Sequence, residues 1–127
     1  MTDNELQALR AADKDGMLTY EYIANNVGEC DDNLPALVDI LSDADTSGQF
    51  TASAARFLHA IDAEAYAGAV NRLVETTIGH DRERRYLPEL MEALHGKDYA
   101  VHAAELSAAD NNFRRMYKRL YTDGDPM

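Results

Sequence analysis

Apolar residues recur every three or four positions along this chain, in short runs separated by polar turns, and no run shows the sustained alternation of a β-strand. A chain patterned this way is committed to packing helix on helix. Each short amphipathic segment has one apolar face and can bury it only against another segment. At 127 residues, 46% of them hydrophobic and most of those Ala, Leu or Val, the chain is long enough to bury a core without staples. The expected architecture is all-α. Residues 1–121 would form a single domain of six or seven short helices stacked as antiparallel hairpins or an irregular bundle, with a disordered tail over 122–127.

Caps and breakers set the expected boundaries. Asn4 can cap a first helix that turns Leu6 and Leu9 inward, before the break at Ala11–Gly16. Leu18, Tyr22, Ile23 and Val27 have helical spacing in a second helix, stopped by Gly28. Asp31, Asp32 and Asn33 precede a third, with Pro35 in its first turn and an apolar stripe of Leu34, Leu37, Val38, Ile40 and Leu41. A fourth runs from about Phe50 to Ile61, with Phe50, Ala54, Phe57, Leu58 and Ile61 inward. Asp62 can cap a fifth, from Ala63 to Thr77, ended by Gly79. A sixth covers about Arg82 to Leu94 and either begins near Leu87 or bends at Pro88. Tyr99 to Tyr121 is helical, with a break indicated at Ala109-Asp110-Asn111. Leu37, Leu41, Phe57, Leu58, Leu73, Leu90 and Leu94 are the expected core.

Charge narrows the range of partners. The net charge is −11. Residues 1–71 hold three bases against thirteen acids, and residues 72–127 hold nine against ten. So acidic a chain opposes non-specific binding to nucleic acid. The polar, acidic start Met1–Glu5 lacks the basic and apolar stretches of a signal peptide, and no apolar run is long enough to span a bilayer. Cys30 is the only cysteine, so no internal disulfide forms, and a reducing, cytoplasmic location is expected without a membrane partner. Acids on both sides of Cys30 disfavour a reactive thiolate.

Two patterns bear on metal binding. Asp43-Ala44-Asp45-Thr46-Ser47-Gly48-Gln49-Phe50 resembles the opening of an EF-hand calcium loop, with oxygen ligands at alternate positions and a glycine for the sharp turn. Its twelfth position is Ala54, which supplies no closing carboxylate. Asp13, Asp15, Gly16 and Leu18 repeat the pattern 32 residues earlier and lack a ligand at the twelfth position too, where Tyr22 stands. Asp-rich helix caps explain both segments. Every histidine has an acid three residues on: His59–Asp62, His80–Glu83, His95–Asp98 and His102–Glu105. On a helix that spacing places both side chains on one face, as carboxylate-bridged metal sites require, although Gly96 takes the His95 pair off a helix. Local hydrogen bonds at helix ends account for the same spacing, and no metal or other cofactor is expected.

The segment Leu34-Pro35-Ala36-Leu37-Val38-Asp39-Ile40-Leu41 recurs as Leu87-Pro88-Glu89-Leu90-Met91-Glu92-Ala93-Leu94, each copy followed by a turn ending in Asp, at Asp45 and Asp98. Residues 34–61 resemble a HEAT-type repeat, in which a Leu-rich helix, an Asp-containing turn and an Ala-rich second helix pack as a hairpin. Phe50, Ala54, Leu58 and Ile61 match the apolar positions of the second helix, and Ala54 and Ala55 permit close approach. Thr51 stands where that family commonly has Arg, and the two copies are 53 residues apart, more than one ordinary repeat.

No phosphate loop, zinc-protease motif, paired-Cys spacing or nucleophile elbow occurs. The leading expectation is therefore a non-enzymatic protein–protein interaction module. A metal-binding helical protein using the His/carboxylate pairs is the first alternative, and an acidic mimic of nucleic acid that blocks a basic protein surface is the second. Arg82, Arg84 and Arg85 form one basic cluster. Arg114, Arg115, Lys118 and Arg119, interleaved with Tyr117 and Tyr121, form another and mark the last helix as the expected interaction surface. Its stripe of Phe113, Met116, Tyr117, Leu120 and Tyr121 would pack back on its own domain or, less favoured, bury itself in a homodimer facing Asp31, Asp32 and Asp39 of the mate. The calcium-like loops give a first test. Millimolar calcium should leave the melting temperature where magnesium leaves it, and a calcium-specific rise of several degrees would contradict the capping assignment.

Overall fold

The computed structural model describes residues 1–121. Those residues form eight α-helices and no strand: α1 Asp3–Ala12, α2 Met17–Asn25, α3 Leu34–Ala44, α4 Gln49–Asp62, α5 Ala67–His80, α6 Leu87–His95, α7 Ala103–Ala109 and α8 Asn111–Tyr121. Short 3-10 turns at Asp31–Asn33 and Tyr99–His102 lead into α3 and α7. The expected tail, 122–127, lies outside the described residues. Eight helices replace the expected six or seven because the C-terminal stretch is divided. Asp110 adopts an extended backbone after α7, and its Oδ1 accepts the Phe113 N–H at 3.1 Å, which starts a new helix.

Several boundaries differ from the expected ones for local reasons. Thr2 caps α1 instead of Asn4, because Glu5 lies three residues on and completes a reciprocal capping box: Glu5 N–H donates to Thr2 Oγ1 and Thr2 N–H to Glu5 Oε1. Asp62 closes α4 instead of capping α5, although its Oδ1 still accepts the Ala65 N–H. α5 runs through Gly79 to His80 and is ended by Asp81. Residues 82–86 are turn, so Pro88 lies in the first turn of α6, where its missing N–H costs nothing.

Buried side chains from Ile23 to Met116 form one continuous cluster. α4 packs on α2, α5 and α6, while α3 packs on α1 and α5, and α8 closes over α5 and α6. Ala52, Ala54 and Ala55 give α4 the slim face that three neighbours demand. Leu37, Leu41, Leu58, Leu73 and Leu90 are fully buried as expected, whereas Phe57 and Leu94 are only partly covered. Leu18 and Ile61, expected inward, are 42% and 51% exposed. On α2 the buried position belongs to Thr19, whose hydroxyl is drawn in by Asp13 at 2.6 Å.

Asp13 opens the first of three turns built alike, the others opening on Asp45 and Asp81, all three buried. Asp13 accepts the N–H groups of Gly16 and Thr19 as well as the Thr19 hydroxyl. Asp45 accepts N–H groups from Ser47, Gly48, Phe50 and Thr51 and the Ser47 hydroxyl, between 2.8 and 3.2 Å. Asp81 accepts N–H groups from Arg85, Tyr86 and Leu87. Each carboxylate thus takes up the orphan N–H groups that begin the following helix. The residue three after each Asp has a positive φ: Gly16 at 99°, Gly48 at 88° and Arg84 at 56°.

The turns also touch one another. A Cβ on Gly16 would lie 3.0 Å from Asp45 Cβ, and one on Gly48 would lie 3.1 Å from Asp81 Cβ. Each glycine is therefore required twice, by its backbone conformation and by the Asp of the next turn. His80 Nδ1 donates to the Asp45 carbonyl at 2.7 Å, and the Thr51 and Thr77 hydroxyls are bonded at 2.8 Å, fastening the second turn to α5. Asp45→Ala should cost about 3 kcal/mol in denaturant unfolding, because buried N–H groups lose their acceptor. Thr46→Ala in the same turn, exposed, should stay within about 0.5 kcal/mol. Equal effects would show that the carboxylate is not what holds the turn.

Candidate functional site

The metal candidates do not converge. His59 lies part-buried on α4 and Asp62 is exposed at the end of that helix. His80 is held by the Asp45 carbonyl, and Glu83 lies in the following turn, where it pairs with Arg85 at 3.0 Å. His102 is 3.5 Å from Asp98, four residues before it, while Glu105 is exposed on α7. The carboxylate paired with His95 is Asp110, at 4.0 Å, across the α6–α8 junction. Among the described residues, no group of three or more His, Cys, Asp or Glu side chains is placed to hold a metal ion. In two of the four pairs, His80–Glu83 and His95–Asp98, the chain leaves the α-helix between the members, and in a third His102 belongs to the 3-10 turn before α7. Cys30 is buried, and burial together with Asp31 raises its thiol pKa.

α8 uses much of its expected surface internally. Phe113 and Met116 are fully buried, and Tyr117 stacks on Phe113 with ring centroids 5.7 Å apart. The Tyr121 hydroxyl bonds that of Tyr99 at 2.6 Å. Arg119 donates to the carbonyls of Ile78 at 2.8 Å and Asp81 at 3.3 Å, so its guanidinium serves the C-terminus of α5. Arg84 in turn donates to the Arg119 carbonyl at 3.3 Å, which joins the two basic clusters that are separate in sequence. Arg114, Arg115 and Lys118 remain exposed, Arg114 bonding Asn111.

A larger concavity lies elsewhere, where α3 packs on α5. It is a groove of about 570 Å³ lined by Leu34, Pro35 and Val38 on one side and by Ala65, Tyr66, Gly68 and Ala69 on the other. Small residues on α5 create it: a Cβ on Gly68 would meet nothing within 4 Å. Leu34 and Val38 are buried in its floor. The rim is charged. The Tyr66 hydroxyl donates to both oxygens of Asp31, at 3.0 and 2.9 Å, and this hydrogen bond raises the phenol pKa. Asp39 pairs with Arg72 at 2.7 Å. Asp31 and Asp39 are visible in sequence as acids, but the groove arises from the adjacency of two helices over 30 residues apart, for which no local pattern exists.

A smaller cavity of about 170 Å³ lies among His59, Asn71, His95, Asp110 and Asn112. His95 meets Phe113 edge-on, with ring centroids 4.9 Å apart. Burial lowers its pKa below 6.5 against the pull of Asp110, and His59 adds to the lowering. Comparison with protein-family models, with curated proteins and with solved structures finds no match for this chain. The histidine gives a test with a definite sign. The folded state disfavours protonated His95, so its unfolded form binds the proton first and stability falls as pH drops below about 6.5. His95→Gln should flatten that slope between about pH 7 and pH 5 in thermal melts. An unchanged slope would exclude His95 as its source.

Proposed function

We propose that the protein is a non-enzymatic protein-binding module, a short helical scaffold of the HEAT type whose binding site is the groove between α3 and α5. Support for the scaffold comes from the recurrence of the Asp turns at residues 13, 45 and 81 and from the seating of each glycine on the next Asp. Ion pairs between residues 33 apart lie close to the 32- and 36-residue spacings of those turns: Arg10–Asp43 at 2.6 Å, Asp39–Arg72 at 2.7 Å and Arg56–Glu89 at 2.5 Å. Stacked hairpins place α1, α3 and α5 in one row and α2, α4 and α6 in the other, consistent with α1 packing on α3, α3 on α5, α2 on α4 and α4 on α6.

The observation that carries the function is the groove itself. It is apolar along its floor, polar at its rim and open, the form taken by sites that receive a segment of another protein. Immobilised protein should retain a partner from extracts of its own organism. Gly68→Leu with Ala65→Arg should abolish retention without lowering the melting temperature, since both positions are exposed and leucine favours helix over glycine. Glu92→Arg, on the exposed side of α6, should leave retention intact. Equal retention by the groove variant, or no retained protein at all, would overturn this function.

A further inference from the structure

Exposed acids flank one end of the groove in sequence: Asp31, which lines it, is followed by Asp32 in the turn before α3, and Asp62 at the end of α4 and Glu64 after it precede the groove residues Ala65 and Tyr66. Tyr66 ties the two segments together through its bond to Asp31, and Asp62 lies near enough to act on the Tyr66 hydroxyl. Arg72, which also lines the groove, is paired there with Asp39. The floor, meanwhile, is a strip between two helices. α3 has 11 residues, which corresponds to about 16 Å of helix axis. The groove takes up the part of α3 from Leu34 to Asp39, about 8 Å of that axis, which admits about two turns of a docked helix with apolar anchors at i and i+3 or i+4.

We propose, on the basis of the protein-binding role above, that the segment received by the groove is a basic amphipathic helix. Its apolar face lies over Leu34, Val38 and Ala69, and its Lys or Arg side chains meet Asp31, Asp32, Asp62 and Glu64. The two features act differently. The apolar strip supplies affinity, and the acidic corner supplies steering and choice of sign. An acidic helix of the same shape would carry like charge into that corner and be rejected.

The test uses two labelled synthetic peptides with leucines at helical spacing, one with Lys and Arg at every other position and a twin with Glu there. Fluorescence anisotropy should show the basic peptide binding at least about tenfold more tightly than its twin, with affinity falling as salt is raised. Gly68→Leu fills the groove without changing charge and should weaken binding by about tenfold or more. Asp31→Asn with Asp32→Asn should weaken it and reduce the salt dependence. Unchanged binding to Gly68→Leu would mean that the acidic surface merely attracts cations, and would overturn the proposal, as would equal binding of the Glu twin. A dimer seen by light scattering and abolished by Gly68→Leu would make a second copy the occupant, and would overturn it too. If the extract partner is lost in the groove variant while the basic peptide fails to bind, the groove function stands and the basic helix falls.

Discussion

A buried carboxylate that collects backbone N–H groups is the interaction on which the rest of this structure depends. A helix begins with donors that have no partner inside it, and in a chain of short helices such ends are frequent. Asp13, Asp45 and Asp81 bring the acceptor into the turn, and because their lone pairs are filled they can be buried where an unsatisfied carboxylate could not. For Asp13, burial pushes the pKa up, but the Thr19 hydroxyl and the amides of Thr19, Gly16 and Leu18 outweigh it and hold the carboxyl below its usual range. That contribution is present above the ordinary Asp pKa and is lost as pH falls through the depressed value.

Burying the turns is what lets them stack. A loop rich in exposed polar groups would hold its neighbours apart. Here Gly16 and Gly48 lie against the next Asp, and α3 packs on α5 while α4 packs on α2 and α6. The α3–α5 groove then results from side-chain size: where α5 carries Gly68 and Ala69 in place of larger residues, the two helices leave an opening over Leu34 and Val38.

The helices were legible in the sequence because apolar periodicity reports burial directly, and Leu37, Leu41, Leu58, Leu73 and Leu90 follow it. Leu18 and Thr19 show where it fails. Periodicity weighs a leucine above a threonine, but hydrogen bonding to Asp13 makes the threonine the inward residue. The turn pattern was visible too, as the 32-residue recurrence of Asp and Gly without a carboxylate at the twelfth position, and Asp13 and Asp45 cap the following helices by accepting their backbone N–H groups. The groove had no such trace. Tyr66 and Asp31 are 35 residues apart, and only the packed helices make them neighbours.

Arg84 occupies the position that glycine holds in the first two turns, with the same left-handed sense of backbone. Its guanidinium donates to the carbonyl of Arg119. The third turn and α8 thus hold each other by reciprocal arginine-to-carbonyl bonds, Arg84 to Arg119 and Arg119 to Asp81, which ties the aromatic cluster of Tyr99, Phe113, Tyr117 and Tyr121 to that turn.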